Sequence, residues 1–184
     1  MSEVKVAMIV GSLRRESINR RLAHAIATLA PRQMSFRSIE IGDLPLYNQD
    51  DDPDPAAEVL RLKQQIAAAH GVIFVTPEYN RGLPGVLKNA LDHGSRPYGR
   101  GVWAGKPAGI MGASTSHTGT AAAQQQLRAI LGSLDMPTLG QPELLFHVQD
   151  GTFDRHGHFA DSVVGGRVST WLERYLSWVK LHLS

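Results

Sequence analysis

A short buried strand that ends in a loop of small, hydroxyl and basic residues opens this chain. Residues 6–10 are all apolar, and a run this short favours a buried strand over a helix. Gly11, Ser12 and Arg14 follow, and a helical pattern begins near Ser17. α/β proteins hold phosphate at such a junction, because main-chain N–H groups and the helix dipole both favour an anion there. The opening segment therefore predicts an α/β fold with an anion site.

Short apolar runs and helical spacings of apolar residues alternate along the whole chain. The patterns predict strands at residues 4–10, 34–41, 72–75, 107–111 and within 139–148, and helices at 18–29, 56–69, 86–92, 120–134 and 161–183. This alternation with short connections indicates a parallel sheet with helices on both faces. Because the chain has 184 residues and shows no repeat or linker, we expect one domain spanning residues 1–184.

Composition excludes several classes of protein. The chain has no cysteine, which rules out disulfides, zinc–thiolate sites, iron–sulfur clusters and thiol catalysis. The formal charge is only +2, from 19 Lys and Arg against 17 Asp and Glu, so we expect no nucleic-acid partner. No apolar run approaches the roughly 20 residues that span a bilayer, and no targeting signal is visible. We therefore expect a cytoplasmic protein without a membrane partner.

Three loops that follow predicted strands share an unusual composition of glycine, hydroxyl and amide residues. They span residues 11–19, 77–85 and 112–119, after the first, third and fourth strands. In open α/β sheets, ligands bind outside the carboxyl ends of the strands, where the strand order reverses. If the first and third strands are neighbours, these loops converge on one crevice.

The first loop is the candidate phosphate site. Ser12, Ser17 and Asn19 supply hydroxyl and amide groups, and Arg14 supplies a planar charged fork. Four arginines between positions 14 and 21 crowd a helix N-terminus, where the dipole disfavours each cation by ~0.3–1 kcal/mol, and a bound anion would reverse that cost. GxxxxGK[ST] and GxGxxG are both absent, which favours a monophosphate. The alternative is that Ser17 only caps the helix and the arginines are solvated.

The other two loops offer an aromatic ring and close approach of the backbone. Glu78, Tyr79 and Asn80 stand between a buried strand and a helix that begins near Pro84. Main-chain amides there would contact the edge of a flat heterocycle, and Tyr79 would pack near its face. The third loop carries small side chains apart from His117, which lets a backbone approach a ligand. The alternatives are a half-buried packing role for Tyr79 and a plain β–α turn for the third loop.

Other motifs favour structural roles. The aspartates of residues 43–54 lie beside prolines, which favours a solvated loop and helix cap over a cation site. His156 and His158 lie in a polar loop without a ligand-bearing helix, so we predict no metal site. Trp171, Tyr175 and Trp178 on the last helix favour core or oligomer contacts. The absence of GxSxG argues against a serine hydrolase.

Together the three loops resemble the NADPH-dependent FMN reductase family, which includes bacterial quinone and chromate reductases of flavodoxin-like fold. The matching motifs are GSLRRESINRRLA at residues 11–23, TPEYNRGLPGVLKNALD at 76–92 and, more loosely, KPAGIMGAS at 106–114. The resemblance implies a three-layer flavodoxin-like fold with a five-stranded parallel sheet in the order 2-1-3-4-5. The third loop, STSHTGTAAAQQQ, departs from the family pattern, so its contacts with the cofactor are the least defined.

The resemblance also implies non-covalently bound FMN. The first loop would hold the 5′-phosphate, the second would line the isoalloxazine mostly through main-chain groups, and the start of the third would lie near the other edge of the ring. The residues expected to bind the cofactor are Gly11, Ser12, Leu13, Arg14, Arg15, Ser17, Ile18, Asn19, Pro77, Glu78, Tyr79, Asn80 and Ser114.

The implied activity is hydride transfer from NADPH or NADH through FMN to quinones, chromate, azo compounds or free flavin, with ping-pong kinetics. No side chain is assigned as acid, base or nucleophile, because the cofactor carries the chemistry. Hypothetical partners for an NADP 2′-phosphate are Arg15, Arg81, Arg96 and Arg100, with surface or interface charges as the alternative. Family members are commonly dimers or tetramers, so we expect a homodimer or homotetramer.

Two other functions remain open at this point. One is a flavodoxin-like electron carrier or redox sensor without its own NAD(P)H turnover, although such carriers tend to be acidic and this chain is not. The other is a binding module that holds no flavin.

Overall fold

One parallel sheet of five strands forms the centre of the molecule. We describe residues 3–183 in a computed structural model. The strands are β1 (Val4–Val10), β2 (Met34–Ile39), β3 (Gly71–Val75), β4 (Ala108–Ser114) and β5 (Leu144–His147). Their order is β2-β1-β3-β4-β5, and every pair is parallel. The flavodoxin-like strand order is therefore confirmed.

Five helices cover the two faces of this sheet. They are α1 (Ile18–Thr28), α2 (Ala57–Ala67), α3 (Gly85–Ser95), α4 (Ala121–Ser133) and α5 (Ser162–Leu181), and a 3-10 turn spans Gln49–Asp51. Helices α1 and α5 bury their apolar faces in one cluster, and α2, α3 and α4 bury theirs in a second cluster on the other face. No helix among residues 3–183 has both the length and the apolar character needed to cross a bilayer.

Helix α5 packs its aromatic side chains directly on the sheet. Trp171 and Tyr175 are buried and their rings stack 5.3 Å apart, which confirms the core interpretation of these two residues. The Tyr175 hydroxyl lies 3.0 Å from the main-chain oxygens of both Val72 and Pro107. Burial raises the pKa of Tyr175 well above its ordinary value, because the phenolate would lose its hydration. Gly109 lets the Trp171 ring reach the strand, since a Cβ there would lie 2.5 Å from it.

The end of β4 differs from the prediction. The sequence patterns end this strand at residue 111 and assign residues 112–114 to a loop, whereas β4 continues to Ser114. It continues because Gly112, Ala113 and Ser114 pair in register with β5. Gly112 is a requirement of this packing, since a Cβ there would overlap the main-chain oxygen of Thr76. Ser114 is thus the last residue of a strand.

Two other boundaries also differ. Gly71, predicted to end a helix, begins β3, where it pairs with Val6 of β1. Helix α3 continues past the predicted residue 92 to Ser95. The Trp103 ring packs against Gly94 in this added turn, and its Nε1 donates to the Leu91 oxygen at 2.9 Å. Side chains that are distant in sequence decide both boundaries.

Candidate functional site

The three loops predicted to carry the chemistry lie along one edge of the sheet. They follow β1, β3 and β4, which are adjacent strands. The main-chain N–H of Gly11 donates to the main-chain oxygen of Val75 at 2.9 Å, and this hydrogen bond joins the first loop to the end of β3. A Cβ on Gly11 would lie 3.1 Å from Leu87 and 3.4 Å from Pro77, so the first two loops pack together. The first and third strands are neighbours, so the condition on which the prediction of one shared crevice depends is met.

The first loop presents a run of main-chain N–H groups that have no protein acceptor. Within the described chain, the N–H groups of residues 12–16, 18 and 19 donate to nothing. Ser17 caps α1 by accepting from Arg20 N, at 3.3 Å, and its hydroxyl hydrogen remains available. The first turn of α1 contains no acidic residue. These unpaired donors and the helix dipole make this end of α1 a good place for an anion.

The structure separates the four arginines that crowd this end of α1. Arg14 and Arg15 are exposed, and within residues 3–183 their side chains form no hydrogen bond or ion pair. Arg21 lies over the Phe153 ring at 5.0 Å from its centroid, a cation–π contact. Arg20 lines a groove between α1 and β2, beside His24. Two cations are therefore available for a ligand at the first loop.

Asn19 has a different role from the one that sequence reasoning suggests. Its Nδ2 donates to the Ala113 oxygen at 2.9 Å, and its Oδ1 accepts from the Ala113 N–H at 2.9 Å. The side chain is 1% exposed, so it joins α1 to β4 in the protein interior. Only the main-chain N–H of Asn19 is left for a phosphate. Ser12 is also buried, but its hydroxyl has no protein partner in the described chain.

Glu78 caps a helix that is distant in sequence. Its Oε2 accepts from the N–H of Ala123 in the first turn of α4, at 3.1 Å. Thr120, the N-cap residue of α4, makes no side-chain capping hydrogen bond, so Glu78 takes its place. The start of α4 already has a negative partner, whereas the first turn of α1 contains no acidic residue. This difference favours α1 over α4 as the place where an anion binds.

The second loop ends in a tight turn. Tyr79 and Gly82 exchange two main-chain hydrogen bonds, each 3.0 Å long. Asn80 and Arg81 between them have positive φ angles of 51° and 65°. The N–H groups of Glu78, Asn80 and Arg81 have no acceptor within residues 3–183, so they are available to the edge of a heterocycle. The Tyr79 side chain is 50% exposed.

Two histidines lie together beside the third loop, and the sequence patterns did not predict this contact. The rings of His117 and His147 lie 4.2 Å apart, and His147 Nε2 is 3.1 Å from the Thr115 oxygen. The Ser114 hydroxyl accepts from Ser116 N at 3.0 Å. Parallel pairing of β4 with β5 brings His147 here, and no sequence motif indicated it. Among residues 3–183, no three His, Asp or Glu side chains are placed to hold one metal ion.

The other predicted coenzyme arginines differ in their surroundings. Arg96 donates to the Tyr47 hydroxyl at 2.8 Å and lies 3.7 Å from Asp52, which fixes the loop after β2. The hydrogen bond to Tyr47 raises the pKa of Arg96. Arg81 and Arg100 are exposed, and their side chains have no partner in the described part of the chain.

Comparisons with known proteins agree with this geometry. The family model described as NADPH-dependent FMN reductase matches residues 4–150. A 2-hydroxy-1,4-benzoquinone reductase from a Burkholderia species is 47% identical over 177 residues, which are 96% of this chain and 97% of the relative. A quinone reductase from Pseudomonas putida is 42% identical over 184 residues, covering 99% of this chain and 98% of the relative. The solved structure of FerB, a flavoenzyme NAD(P)H:(acceptor) oxidoreductase from Paracoccus denitrificans, superposes with a TM-score of 0.94 at 36% identity, covering 97% of this chain and 98% of that one.

The two buried hydrogen bonds of Asn19 predict a loss of stability when this side chain is removed. Asn19→Ala should lower the free energy of unfolding by about 2–4 kcal/mol, because it removes two hydrogen bonds and leaves the Ala113 peptide groups unpaired in the interior. Urea denaturation followed by circular dichroism measures this loss. Asn48→Ala is the matched control, since Asn48 is exposed and accepts one hydrogen bond, from Asp50 N. Its cost should be about 1 kcal/mol or less. Equal costs for the two variants would contradict a structural role for Asn19.

Proposed function

This chain belongs to the NADPH-dependent FMN reductase family, and we propose that it uses bound FMN to pass hydride from NAD(P)H to quinones. The observation that carries the proposal is the run of unpaired N–H groups at the start of α1, beside Arg14 and Arg15. Quinone acceptors are suggested by the names of the Burkholderia and Pseudomonas relatives.

The first loop fits the phosphate of FMN. We assign the phosphate contacts to the main-chain N–H groups of residues 12–16, 18 and 19, the hydroxyls of Ser12 and Ser17, and the guanidinium of Arg14, with Arg15 beside it. A phosphate monoester carries about two negative charges at neutral pH and accepts several hydrogen bonds at once. The loop supplies this chemistry without a lysine. Gly11, Leu13 and Ile18 shape the loop.

The second loop fits the ring. The unpaired N–H groups of Glu78 and Asn80 would donate to acceptors on the isoalloxazine edge, and the half-exposed Tyr79 would pack near its face. Pro77 is buried against Gly11 and holds this wall close to the phosphate loop. We place Ser114, at the end of β4, near the opposite edge.

When bound, FMN supplies a ring that takes hydride from the nicotinamide and gives it to the acceptor. The protein therefore needs no acid, base or nucleophile of its own. The quinone gains two electrons and one proton as hydride, and water supplies the second proton of the hydroquinone. The residues of the three loops bind, orient and shield the reactants, and N–H dipoles stabilise the negative charge that develops.

We further propose a homodimer or homotetramer in the cytoplasm. Leu46 and Tyr98 support an interface, because these large side chains are 86% and 93% exposed in the single chain. The lack of cysteine fits a reducing compartment. Light scattering after gel filtration should give a mass of two or four times 20.1 kDa. A single-chain mass at micromolar concentration would contradict the proposed assembly.

The central test is a spectrum followed by a turnover measurement. The purified protein should show flavin absorption bands in the visible region and should oxidise NADPH or NADH when 1,4-benzoquinone is added. Double-reciprocal plots of rate against quinone concentration, at several fixed coenzyme concentrations, should give parallel lines, because the coenzyme and the quinone bind at the same site one after the other. A flavin-loaded protein without NAD(P)H turnover would instead support an electron carrier. A colourless protein that cannot be reconstituted with FMN would support a flavin-free binding module.

Removal of Arg14 tests the phosphate assignment. Arg14→Ala should weaken FMN binding by about ten- to hundredfold, because it deletes a charge-assisted contact worth about 1.5–3 kcal/mol. The free energy of unfolding of the apoprotein should change by less than about 0.5 kcal/mol, since Arg14 is exposed. Fluorescence titration of apoprotein with FMN measures the affinity. Arg32→Ala, which removes an exposed charge at the opposite edge of the sheet, is the control. Unchanged affinity in Arg14→Ala would place the phosphate elsewhere.

A further inference from the structure

The turn of the second loop contains a conformation that its sequence does not favour. Two consecutive non-glycine residues, Asn80 and Arg81, have positive φ, as in the type I′ turn that usually carries Asn-Gly. Asparagine tolerates this region, but an arginine there costs free energy that glycine would not. In this chain the glycine stands one position later, at Gly82, and its φ is not positive. Arg81 thus occupies a backbone conformation in which glycine would be more stable.

Contacts with α4 fix this turn from both sides. On one side Glu78 accepts from Ala123 N, and on the other Leu83 N donates to the Gln126 side chain at 2.6 Å. The two hydrogen bonds between Tyr79 and Gly82 close the turn itself. Such external anchoring maintains a strained conformation, and strain of this kind concentrates at functional sites.

The Arg81 guanidinium is free to meet a ligand. The side chain is exposed, and it has no hydrogen bond or ion pair within the described residues. The nearest acidic residue in the sequence, Glu78, is already bonded to α4. Two other arginines, by contrast, form ion pairs within the protein: Arg61 with Asp43 and Arg128 with Glu143. Arg81 is held two residues from Tyr79, at the edge of the proposed ring site.

We propose that Arg81 is a specificity residue that binds an anionic oxygen group of the substrate seated beside Tyr79. The group is a phosphate of the nicotinamide coenzyme or the ionised hydroxyl of a hydroxyquinone. One guanidinium can bind each of these groups, because the coenzyme and the quinone occupy the same substrate site one after the other. This inference rests on the proposed function. The guanidinium forms charge-assisted hydrogen bonds to such oxygens but gains little from a neutral quinone.

Arg81→Gly separates substrate binding from folding. Because glycine is favoured at φ 65°, this variant should be more stable than the natural protein, with a higher urea midpoint. Its KM for NADPH, for 2-hydroxy-1,4-benzoquinone, or for both should nevertheless rise about five- to tenfold, and the KM for neutral 1,4-benzoquinone should stay within about twofold. Binding of NADP+ to the FMN-loaded protein, measured by the change in flavin absorption without turnover, provides a second readout.

The choice of substrates identifies the anion. A loss for NADPH but not NADH assigns the contact to the 2′-phosphate, and an equal loss for both assigns it to the shared pyrophosphate. A loss confined to 2-hydroxy-1,4-benzoquinone assigns it to the quinone. Arg81→Lys retains the charge and should recover most of the affected affinity. Arg32→Gly removes an exposed charge just before β2, at the opposite end of the strands, and should leave every KM unchanged.

Two results would overturn the inference. One is a stabilised Arg81→Gly protein with unchanged KM values for every substrate, which would leave Arg81 as a strained surface residue. The other is an equal rise for the neutral quinone, which would indicate damage to the turn instead of lost charge recognition. Turnover of neutral 1,4-benzoquinone by the natural protein tests the proposed function separately, so its failure is distinguishable from failure of the Arg81 inference.

Discussion

Two hydrogen bonds between the Asn19 carboxamide and the Ala113 peptide hold the start of α1 against the end of β4. The first loop is consequently fixed between β1 and β4, and the N–H groups of residues 12–16, 18 and 19 meet no acceptor among residues 3–183. Gly112 and Gly11 allow the close packing that this requires, since a Cβ at either position would meet the neighbouring loop or helix. The candidate phosphate site is therefore prepared by the packing of the sheet before any ligand binds.

Charge distribution then distinguishes the helix ends that face the crevice. A protein carboxylate, that of Glu78, caps α4, whereas α1 begins with a serine cap and basic residues. An anion is favoured at α1, where it would offset both the dipole and the repulsion between Arg14 and Arg15. The same Glu78 contact also anchors the strained turn that carries Arg81. One carboxylate thus occupies the start of α4 and helps to fix the second loop.

Much of the architecture follows from local sequence patterns. Apolar runs of strand length, alternating with helical spacing, predict five parallel strands, and β1 (Val4–Val10) has the predicted bounds. The loops after β1 and β3 were also identified from composition, because glycine, hydroxyl and arginine residues at strand ends have few structural uses. The errors at strand and helix ends include β4, Gly71 and the end of α3. Pairing with a distant strand extends β4 through small residues that look like a loop, and a residue of β1 pairs with Gly71.

By itself, the sequence determined the α/β class, the prediction of a phosphate site in the first loop and the resemblance to FMN reductases, because each depends on residues close together along the chain. Only the tertiary structure decided which polar groups remain available. Asn19 and Glu78 match the family motifs, yet their side chains are bonded to Ala113 and Ala123, which lie 94 and 45 positions away along the chain. The sequence does not distinguish three arginines that the fold treats differently. Arg21 contacts the Phe153 ring and Arg96 donates to the Tyr47 hydroxyl, whereas the Arg81 side chain has no partner within residues 3–183. A side chain that is hydrogen-bonded to a distant peptide group cannot also bind a ligand through the same atoms. These distant partners are determined by tertiary packing, and local sequence patterns contain no information about them.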